Sequence, residues 1–391
     1  MSESRDLRKL ILAYLSQEAL VSSKEIHEGV KQIAAYATVK RTLQSLIAEG
    51  LINTKGNGKG TKYHLSPAYF VIAPIDLETY FSKEIDERQI RTDFNLNLID
   101  EVLSSTQLFS EAEVKRLNSL QSVFKQNTSN LSVEEFNCEF ERLAIDLSWK
   151  SSQIEGNTYS LLETEQLLRE KKTAAGKTKD EATMLLNHKE ALDFILSNKD
   201  YVKPLTISRI EDLHSVLLKE LKVGRNIRKR RVGISGTNYK PMDNEFQIRE
   251  ALQLMCNLVN SNSNVFEKAL LALILISYIQ PFEDGNKRTA RIISNAILMN
   301  ESYCPISFRT VDSIDYKKAM LVFYEQNNIT PFKRIFVDQF EFAVKTQFPI
   351  HNFFSLKNFL PKRLEFQHFR GLPLVTSLKN ELKNELKNAL K

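Results

Sequence analysis

Residues 279–291 have the sequence Ile-Gln-Pro-Phe-Glu-Asp-Gly-Asn-Lys-Arg-Thr-Ala-Arg, and this stretch decides the fold of the chain. An apolar helical pattern over residues 265–279 precedes it, and Pro281 ends that helix because its ring cannot continue the backbone hydrogen bonding. Gly285 and Asn286 then turn the chain into a second helix that extends to about residue 299. The pattern predicts a tight loop that finishes at the start of a helix.

The composition of this loop favours an anion-binding site. A helix start presents free backbone N–H groups and the positive end of the helix dipole. Lys287 and Arg288 add positive charge, and Arg291 lies one turn beyond Arg288 on the same face. Asp284 stands at the rim, where a carboxylate beside phosphates can hold Mg²⁺. The residues alone leave two interpretations open, a metal–diphosphate site and an ordinary buried turn with surface charges.

The same stretch resembles the signature loop of Fic-domain proteins, written H-x-F-x-D/E-G-N-G/K-R-x-x-R. Lys287 is an accepted variant, and six residues match fixed positions of the signature: Phe282, Asp284, Gly285, Asn286, Arg288 and Arg291. The resemblance covers roughly residues 94–340. It implies a Fic-type helical core over residues 101–345.

The resemblance implies a function as well as a fold. Fic proteins of this kind bind ATP and transfer AMP to a Tyr, Thr or Ser hydroxyl of a target protein, or of the chain itself. The loop amides and Asn286 would steady the α-phosphate, Arg288 would hold the β- and γ-phosphates, and Mg²⁺ on Asp284 would neutralise charge. The implied nucleotide-binding residues are Gly285, Asn286, Lys287, Arg288, Arg291 and, by a looser alignment, Tyr316 beside the adenine.

One position departs from the family pattern. Gln280 stands where the family has the histidine that acts as general base toward the target hydroxyl. A glutamine amide has no useful basicity near neutral pH, and losing a positioned base typically costs ~10²- to 10⁴-fold in rate. His214 is expected to be a packed core residue, and none of the six histidines lies near the loop in sequence: His27, His64, His188, His214, His351 and His368. We therefore expect nucleotide binding to survive better than transfer.

Several functions stay open at this point. The chain could be a weak or conditional AMP-transferase whose lost base slows the chemistry. It could be a catalytically silent protein that binds a nucleotide and reports it to a DNA-binding domain. It could remove AMP from a modified protein with Glu155 positioning water, although the leaving group would then also need an acid. If no nucleotide binds, a structural or interaction role remains.

Two other stretches agree with the resemblance. Residues 147–156 contain the family's inhibitory motif S/T-x-x-x-E-G/N, matched by Ser151, Glu155 and Gly156. Glu155 lies at a predicted helix C-terminus, where the dipole disfavours a negative charge unless a cation is near. In the family that cation is the last arginine of the loop, and the pair occupies the place of the γ-phosphate. Residues 224–241 resemble the β-hairpin flap that holds the target backbone as an added strand, with the flap residues Val232, Gly233, Ile234 and Ser235.

The first 68 residues predict a separate winged helix-turn-helix. Three helical patterns, the third over residues 36–48, are followed by two short extended runs around the glycine-rich residues 56–60. Ten Lys/Arg against six Asp/Glu place +4 of the chain's +6 charge in the first 70 residues. Winged helices bind DNA with one helix in the major groove and the wing on phosphates, but they also serve as protein-interaction modules. The candidate DNA contacts are Lys40, Arg41, Gln44, Lys55, Lys59 and Lys62.

The remaining segments complete the predicted organisation. Residues 69–100 are predicted to be a linker and docking segment, and residues 346–391 an extension with a Leu/Lys-rich helical tail. Three separated cysteines without a C-x-x-C pair support neither a disulfide framework nor a zinc site. No secretory signal and no bilayer-length apolar stretch occur, so a cytoplasmic protein without a membrane partner is expected. The fold class is mainly α with a small winged helix and one hairpin flap, and homodimer formation stays open.

Overall fold

The computed structural model describes residues 2–31, 33–129, 131–346 and 348. The predicted helical tail, His351 and His368 lie outside these residues. Within them the chain is mainly helical, as the sequence predicts. No helix in the described part is both long and apolar enough to cross a bilayer.

Residues 7–65 enclose a small hydrophobic core of their own. Three helices surround it because their apolar residues recur every three or four positions, as Val39 and Leu43 do in the third helix. Ser22 caps the second helix in a capping box, in which its backbone N–H donates to the Glu25 carboxylate at 2.7 Å. The elements are α1 (Ser2–Gln17), β1 (Val21–Ser22), α2 (Ser23–Gly29), α3 (Tyr36–Ala48), β2 (Ile52–Lys55) and β3 (Lys62–Leu65).

The three strands form an antiparallel sheet in the order β1–β3–β2. β2 and β3 pair from Ile52 opposite Leu65 to Lys55 opposite Lys62, on either side of the glycine-rich turn. The sequence did not predict β1, because two residues are too few to show an alternating pattern. Three helices and a hairpin are the elements expected of a winged helix, and that assignment stays a prediction.

Residues 67–105 pack on a second hydrophobic core, which is larger than that of the N-terminal residues. Pro67 starts a short helix at its first position, where a missing N–H costs nothing. Asn328 Nδ2 donates to the carbonyls of Phe70 and Ala73 at 2.9 Å each, and Ile329 N–H donates to Val71 O at 2.8 Å. The helices are α4 (Pro67–Ile72), α5 (Leu77–Phe81) and α6 (Leu103–Ser105), with a 3₁₀ turn at Ile85–Glu87 and a π-helical turn at Leu98–Val102.

A second, much larger hydrophobic core contains the rest of the described chain. At its centre is α13, in which every residue from 269 to 279 is fully buried, so this helix is apolar on all sides. The remaining helices are α7 (Glu111–Ser129), α8 (Val133–Ile154), α9 (Leu161–Glu170), α10 (Lys179–Ser197), α11 (Ile207–Leu217), α12 (Glu245–Ser261), α13 (Val265–Ile279), α14 (Asn286–Asn300), α15 (Ser313–Gln326) and α16 (Thr330–Thr346).

The segment between α11 and α12 does not form the predicted β-hairpin. Residues 219–244 are all described and contain no strand. The physical reason is Arg228, which is buried between the two arms of the segment and bonds to both. Its guanidinium donates to the backbone carbonyls of Gln280, Arg230 and Met242. A side chain therefore joins the arms where a strand ladder was expected.

Candidate active site

The loop between α13 and α14 is held by one buried asparagine. Asn286 Nδ2 donates to Phe282 O at 2.8 Å, and its Oδ1 accepts from Phe282 N–H at 2.9 Å. The same Nδ2 lies 3.0 Å from Gln280 Oε1. These bonds close the loop on itself and hold the free amides at the start of α14 in one conformation.

Gly285 caps α14 in a conformation that requires glycine. Its φ is +77°, in the left-handed region. A Cβ at this position would lie 2.8 Å from Leu218 Cδ2 and 3.4 Å from His214 Nε2. Both the backbone conformation and the close approach of Leu218 and His214 therefore disfavour a larger residue.

His214 of α11 packs against the loop. Its ring stacks on Phe282 with centroids 3.6 Å apart and 7° between the planes. Its Nε2 lies 3.0 Å from Asp284 O, and its Nδ1 lies 3.1 Å from Arg225 O. The sequence predicted a packed residue but gave no sign that it touches the loop. Because the ring is buried and both nitrogens face backbone carbonyls, His214 is not free to act as a general base.

Arg288 carries unused hydrogen-bond donors in a buried position. Its side chain is 1% exposed, and its Nη2 donates to Asp284 Oδ2 at 2.9 Å. Its Nε and Nη1 are buried without a hydrogen-bond partner among the described residues. Burial lowers the pKa of Arg288, yet a guanidinium stays charged in proteins. Two unpaired donors on a buried cation are costly until an anionic acceptor completes them, so Arg288 is the candidate contact for an anion.

Asp284 lies at the rim, as the sequence suggests. Its side chain is 60% exposed although Oδ2 pairs with Arg288. Among the described residues no group of three or more His, Cys, Asp or Glu side chains could hold a metal ion. A single accessible carboxylate fits Mg²⁺ only if further oxygen ligands come from a bound phosphate.

Glu155 reaches the loop from the end of α8. Its Oε1 accepts from Arg291 Nη2 at 2.8 Å, and its Oε2 lies 3.1 Å from Lys287 Nζ. Ser151, one turn earlier, accepts from Arg291 Nε through its Oγ at 2.8 Å. Gly156 follows with φ +98° and breaks the helix. The structure brings together the serine, glutamate and arginine that the sequence pairs, and it adds Lys287.

The electrostatics of this cluster favour a charged Glu155. Burial alone would raise the pKa of the carboxyl, but Arg291 and Lys287 outweigh burial and lower the pKa to about 2. His188 of α10 is buried beside the same charges, and burial together with the two loop arginines lowers its pKa well below the usual value. His188 is therefore neutral, and no sequence pattern indicated its proximity to the loop.

Gln280 caps α13 in a left-handed conformation with φ +51° and ψ +58°. Such a backbone is uncommon for a residue other than glycine, but it also occurs at the ends of two other helices of this chain, at Lys171 and Asn327. Its Nε2 donates to Ser277 O at 2.6 Å, while its Oε1 accepts from Asn286. Both the oxygen and the nitrogen of the amide are therefore hydrogen-bonded, and neither atom can accept a proton at neutral pH.

The predicted adenine contact of Tyr316 does not fit the structure. Its ring is fully buried, and the Arg291 guanidinium lies over it at 5.3 Å from the centroid. The Phe332 and Tyr316 rings pack in a T-shaped arrangement with their centroids 4.9 Å apart. The Tyr316 ring therefore packs against the Arg291 guanidinium and is not accessible to a nucleotide base.

The other predicted residues differ in burial. In the segment after α11, Val232 and Ile234 are half-buried, while Gly233 and Ser235 are exposed. The candidate DNA contacts are all exposed on the N-terminal unit, and none forms an ion pair with another described residue: Lys40, Arg41, Gln44, Lys55, Lys59 and Lys62.

Residues 204–298 match the model of the Fic/DOC family. Over 173 residues the chain is 32% identical to the protein adenylyltransferase Fic of Nematostella vectensis, covering 43% of this chain and 40% of that protein. The protein adenylyltransferase Fic of Drosophila mojavensis is 28% identical over 194 residues, covering 49% and 38%. The chain thus spans about two fifths of the length of these curated relatives.

Solved structures share the fold. Fic-1 from C. elegans (residues 134–508) matches with a TM-score of 0.54 and 22% identity, over 63% of this chain and 73% of that chain. A Fic domain containing signaling protein from Bacteroides thetaiotaomicron matches with a TM-score of 0.51 and 20% identity, over 60% and 95%. At these identities the likeness establishes the fold.

The depressed pKa of Glu155 predicts a loss of stability in acid. Its contribution is fully present above the unfolded value of 4.5 and is lost as the pH falls through the folded value of about 2. We expect urea denaturation to give a free-energy difference between wild type and Glu155→Gln that is constant from pH 7 to 5 and then shrinks by about 3 kcal/mol toward pH 2. The exposed Glu18→Gln should show no such trend, and a pH-independent difference for Glu155→Gln would contradict the assignment.

Proposed function

We propose that this chain is a nucleotide-binding protein of the protein adenylyltransferase type, held off by Glu155 and weakened by Gln280. The observation that carries the proposal is the buried Arg288 beside the open amides of α14, because its Nε and Nη1 have no partner in the described part of the chain. A triphosphate supplies the anionic acceptors that these groups lack. The relatives named above are protein adenylyltransferases, which supports ATP as the ligand.

The loop residues suggest a division of roles. The amides at the start of α14, fixed by Asn286, would hold the α-phosphate, and Arg288 would bind the β- and γ-phosphates. Mg²⁺ held between Asp284 and the phosphates would neutralise charge. A target hydroxyl would then attack the α-phosphorus and release pyrophosphate, leaving AMP on the hydroxyl oxygen. The hydroxyl proton must be accepted in this step, and Gln280 cannot accept it.

Self-inhibition is proposed because the Glu155 carboxylate pairs with two cations of the loop. Arg291 and Lys287 are the cations next to Arg288, and the Glu155 carboxylate binds both. A nucleotide that uses Arg291 must displace the carboxylate from a buried guanidinium, which costs binding free energy. We therefore propose that ATP binds weakly while Glu155 is in place.

Replacing Glu155 by glycine should strengthen ATP binding. We expect isothermal titration with Mg-ATP to show a Kd lower by about tenfold or more, because an ion pair no longer competes for Arg291 and Lys287. Glu301→Gly is the matched control, since Glu301 also caps a helix C-terminus and pairs with a lysine, Lys203, at 3.2 Å. Unchanged affinity in the Glu155 variant would rule out this carboxylate as the obstruction.

Replacing Gln280 by histidine should restore transfer. With labelled ATP and Mg²⁺, we expect self-labelling of Gln280→His, best combined with Glu155→Gly, to exceed that of the same chain with Gln280 by about 100-fold or more. Gln280→Asn is the control, because it keeps an amide at the position. If the chain with Gln280 labels as fast as the histidine variant, the base comes from another residue and our interpretation of Gln280 is wrong.

A second candidate function is a nucleotide-sensing regulator that acts through the N-terminal unit. It is favoured by the exposed basic residues of α3 and the β2–β3 hairpin, which form no ion pair within 4 Å with another described residue. A site that binds a nucleotide without a base suits a sensor. Proton transfer is not needed for a nucleotide to change a binding equilibrium.

Duplex DNA binding tests this second function. We expect Lys40→Ala with Arg41→Ala to weaken binding in fluorescence anisotropy and to lower the slope of log K against log salt by about 0.9 for each lost phosphate contact. The pair Lys9→Ala with Lys24→Ala removes the same charge outside α3 and should have a smaller effect. Equal affinities for all three chains would point to a protein-interaction module, and a sensor further requires that Mg-ATP change the DNA affinity.

A further inference from the structure

A cavity of about 660 Å³ lies between the start of α5, the start of α15 and α16. Its lining residues come from three ranges, 75–78, 310–319 and 330–339. Volumes of roughly 300–1,000 Å³ are typical of small-molecule sites in proteins. None of the described lining residues belongs to the loop between α13 and α14, so the proposed function does not use this cavity.

Acidic side chains outnumber basic ones around the cavity. The acidic residues are Asp76, Glu78, Asp312, Asp315 and Asp338, and the basic ones are Lys318 and Arg334. Five negative charges against two positive ones leave a net charge of −3. The Asp338 carboxylate lies 3.8 Å from Arg334 Nε, and both side chains are exposed, so this ion pair is weak. The cavity therefore favours a cationic ligand.

Two of the carboxylates are left without an ion pair among the described residues. They are Glu78 in α5 and Asp315 in α15, and both are exposed. In the described part of the chain no group of three or more His, Cys, Asp or Glu side chains could hold a metal ion. The negative charge is thus spread along the cavity, which suits an extended organic cation better than a metal ion.

The wall formed by α16 carries hydrogen-bonding groups that lack a partner. Gln339 is 5% exposed, and its Nε2 donates to Thr310 Oγ1 at 2.8 Å. Its Oε1 is buried without a partner among the described residues, as is the Thr330 hydroxyl. All three residues line the cavity. Water would complete these groups but would not neutralise the carboxylates, whereas an ammonium group, which only donates, does both.

The remaining wall of the cavity is apolar. Ile75 and Leu77 line it from the side of α5, and Val311, Pro331 and Ile335 from the side of α15 and α16. The methylene chain of a lysine or a polyamine packs on such a surface while its charged end reaches polar groups. The carboxylates, the unpaired oxygens and the apolar wall are together complementary to a cation that carries a methylene chain.

We propose that this cavity binds an aliphatic amine cation, supplied by a free polyamine or by the lysine side chains of another protein. The carboxylates of Glu78 and Asp315 pair with its ammonium groups, and Gln339 Oε1 accepts a hydrogen bond from one of them. The methylene chain lies on the apolar wall. The inference does not depend on the proposed function, because the loop residues take no part in it.

Isothermal titration of the full chain with three probes tests the inference. The probes are spermidine, a capped trilysine peptide of the same charge, and an octanediol, which has the methylenes without the charge. At about 0.15 M salt, where weak surface attraction is screened, we expect an amine to bind at one saturable site, at least about tenfold tighter than the diol. Tighter binding of spermidine would identify a free polyamine as the ligand, and tighter binding of the peptide would identify a lysine-bearing partner.

Matched variants locate the site. The chain with Glu78→Gln and Asp315→Asn should bind the amine about tenfold more weakly, because two ion pairs are lost. The control chain carries Glu18→Gln and Glu134→Gln. Glu134 is also an exposed acid in the first turn of a helix, so this chain loses the same charge and should keep the wild-type affinity.

Gln339→Glu tests the buried wall. The substitution turns the unpaired amide oxygen into a charged acceptor of nearly the same shape, so the amine should bind about tenfold tighter. Without the amine this variant should unfold at a lower temperature than the wild type, because a buried carboxylate then lacks a partner. Spermidine should restore much of the difference, since it binds the folded chain.

Four results would overturn the inference. They are the absence of saturable binding of either amine, equal affinity for the diol, an equal loss of affinity in the control chain, and displacement of spermidine by Mg²⁺ at the same concentration. The exposed pair Glu78 and Asp315 decides the question even if Gln339→Glu does not fold.

Discussion

The buried guanidinium of Arg291 is the constraint on which the site depends. A cation with no exposed surface must be balanced by charge and hydrogen bonds, because an unpaired buried charge costs several kcal/mol, roughly 3–5. Glu155 supplies the charge and Ser151 a hydrogen bond, and both come from α8. These contacts join the end of α8 to the start of α14. In the proposed function, the same pairing that stabilises the helical core would compete with an anion for Arg291.

The loop that presents these charges is supported on its other side by α11. His214 stacks on Phe282, and the absence of a side chain at Gly285 allows α11 to come this close. Asn286 then closes the loop from within. Because these contacts are packed and hydrogen-bonded, the amides of α14 are aimed before any ligand arrives, as an electrostatic binding site requires. Helix packing and ligand binding thus depend on the same few side chains.

The sequence predicted features that depend on neighbouring residues, such as helix bounds. It could not predict contacts between residues that are far apart in the chain. The bounds of α3 and α13 follow from apolar spacing and from the turn residues after each helix, and the pairing of Glu155 with Arg291 follows from a motif resemblance. The flap hairpin failed because Arg228 bonds to carbonyls far apart in sequence. The burial of Tyr316 and the contact of His214 with the loop are likewise tertiary, and no spacing pattern records them.

Gln280 fits the loop better than its missing basicity suggests. Its Oε1 accepts from Asn286, and its Nε2 donates to Ser277 O, so the amide provides one acceptor and one donor to fixed partners. A glutamine at this point therefore keeps the loop closed in its left-handed turn while removing the group that would accept a proton. Binding geometry and proton transfer depend on different properties of the same side chain, polarity in one case and basicity in the other. In the proposed function, the loop can consequently bind an anion without a side chain that accepts a proton.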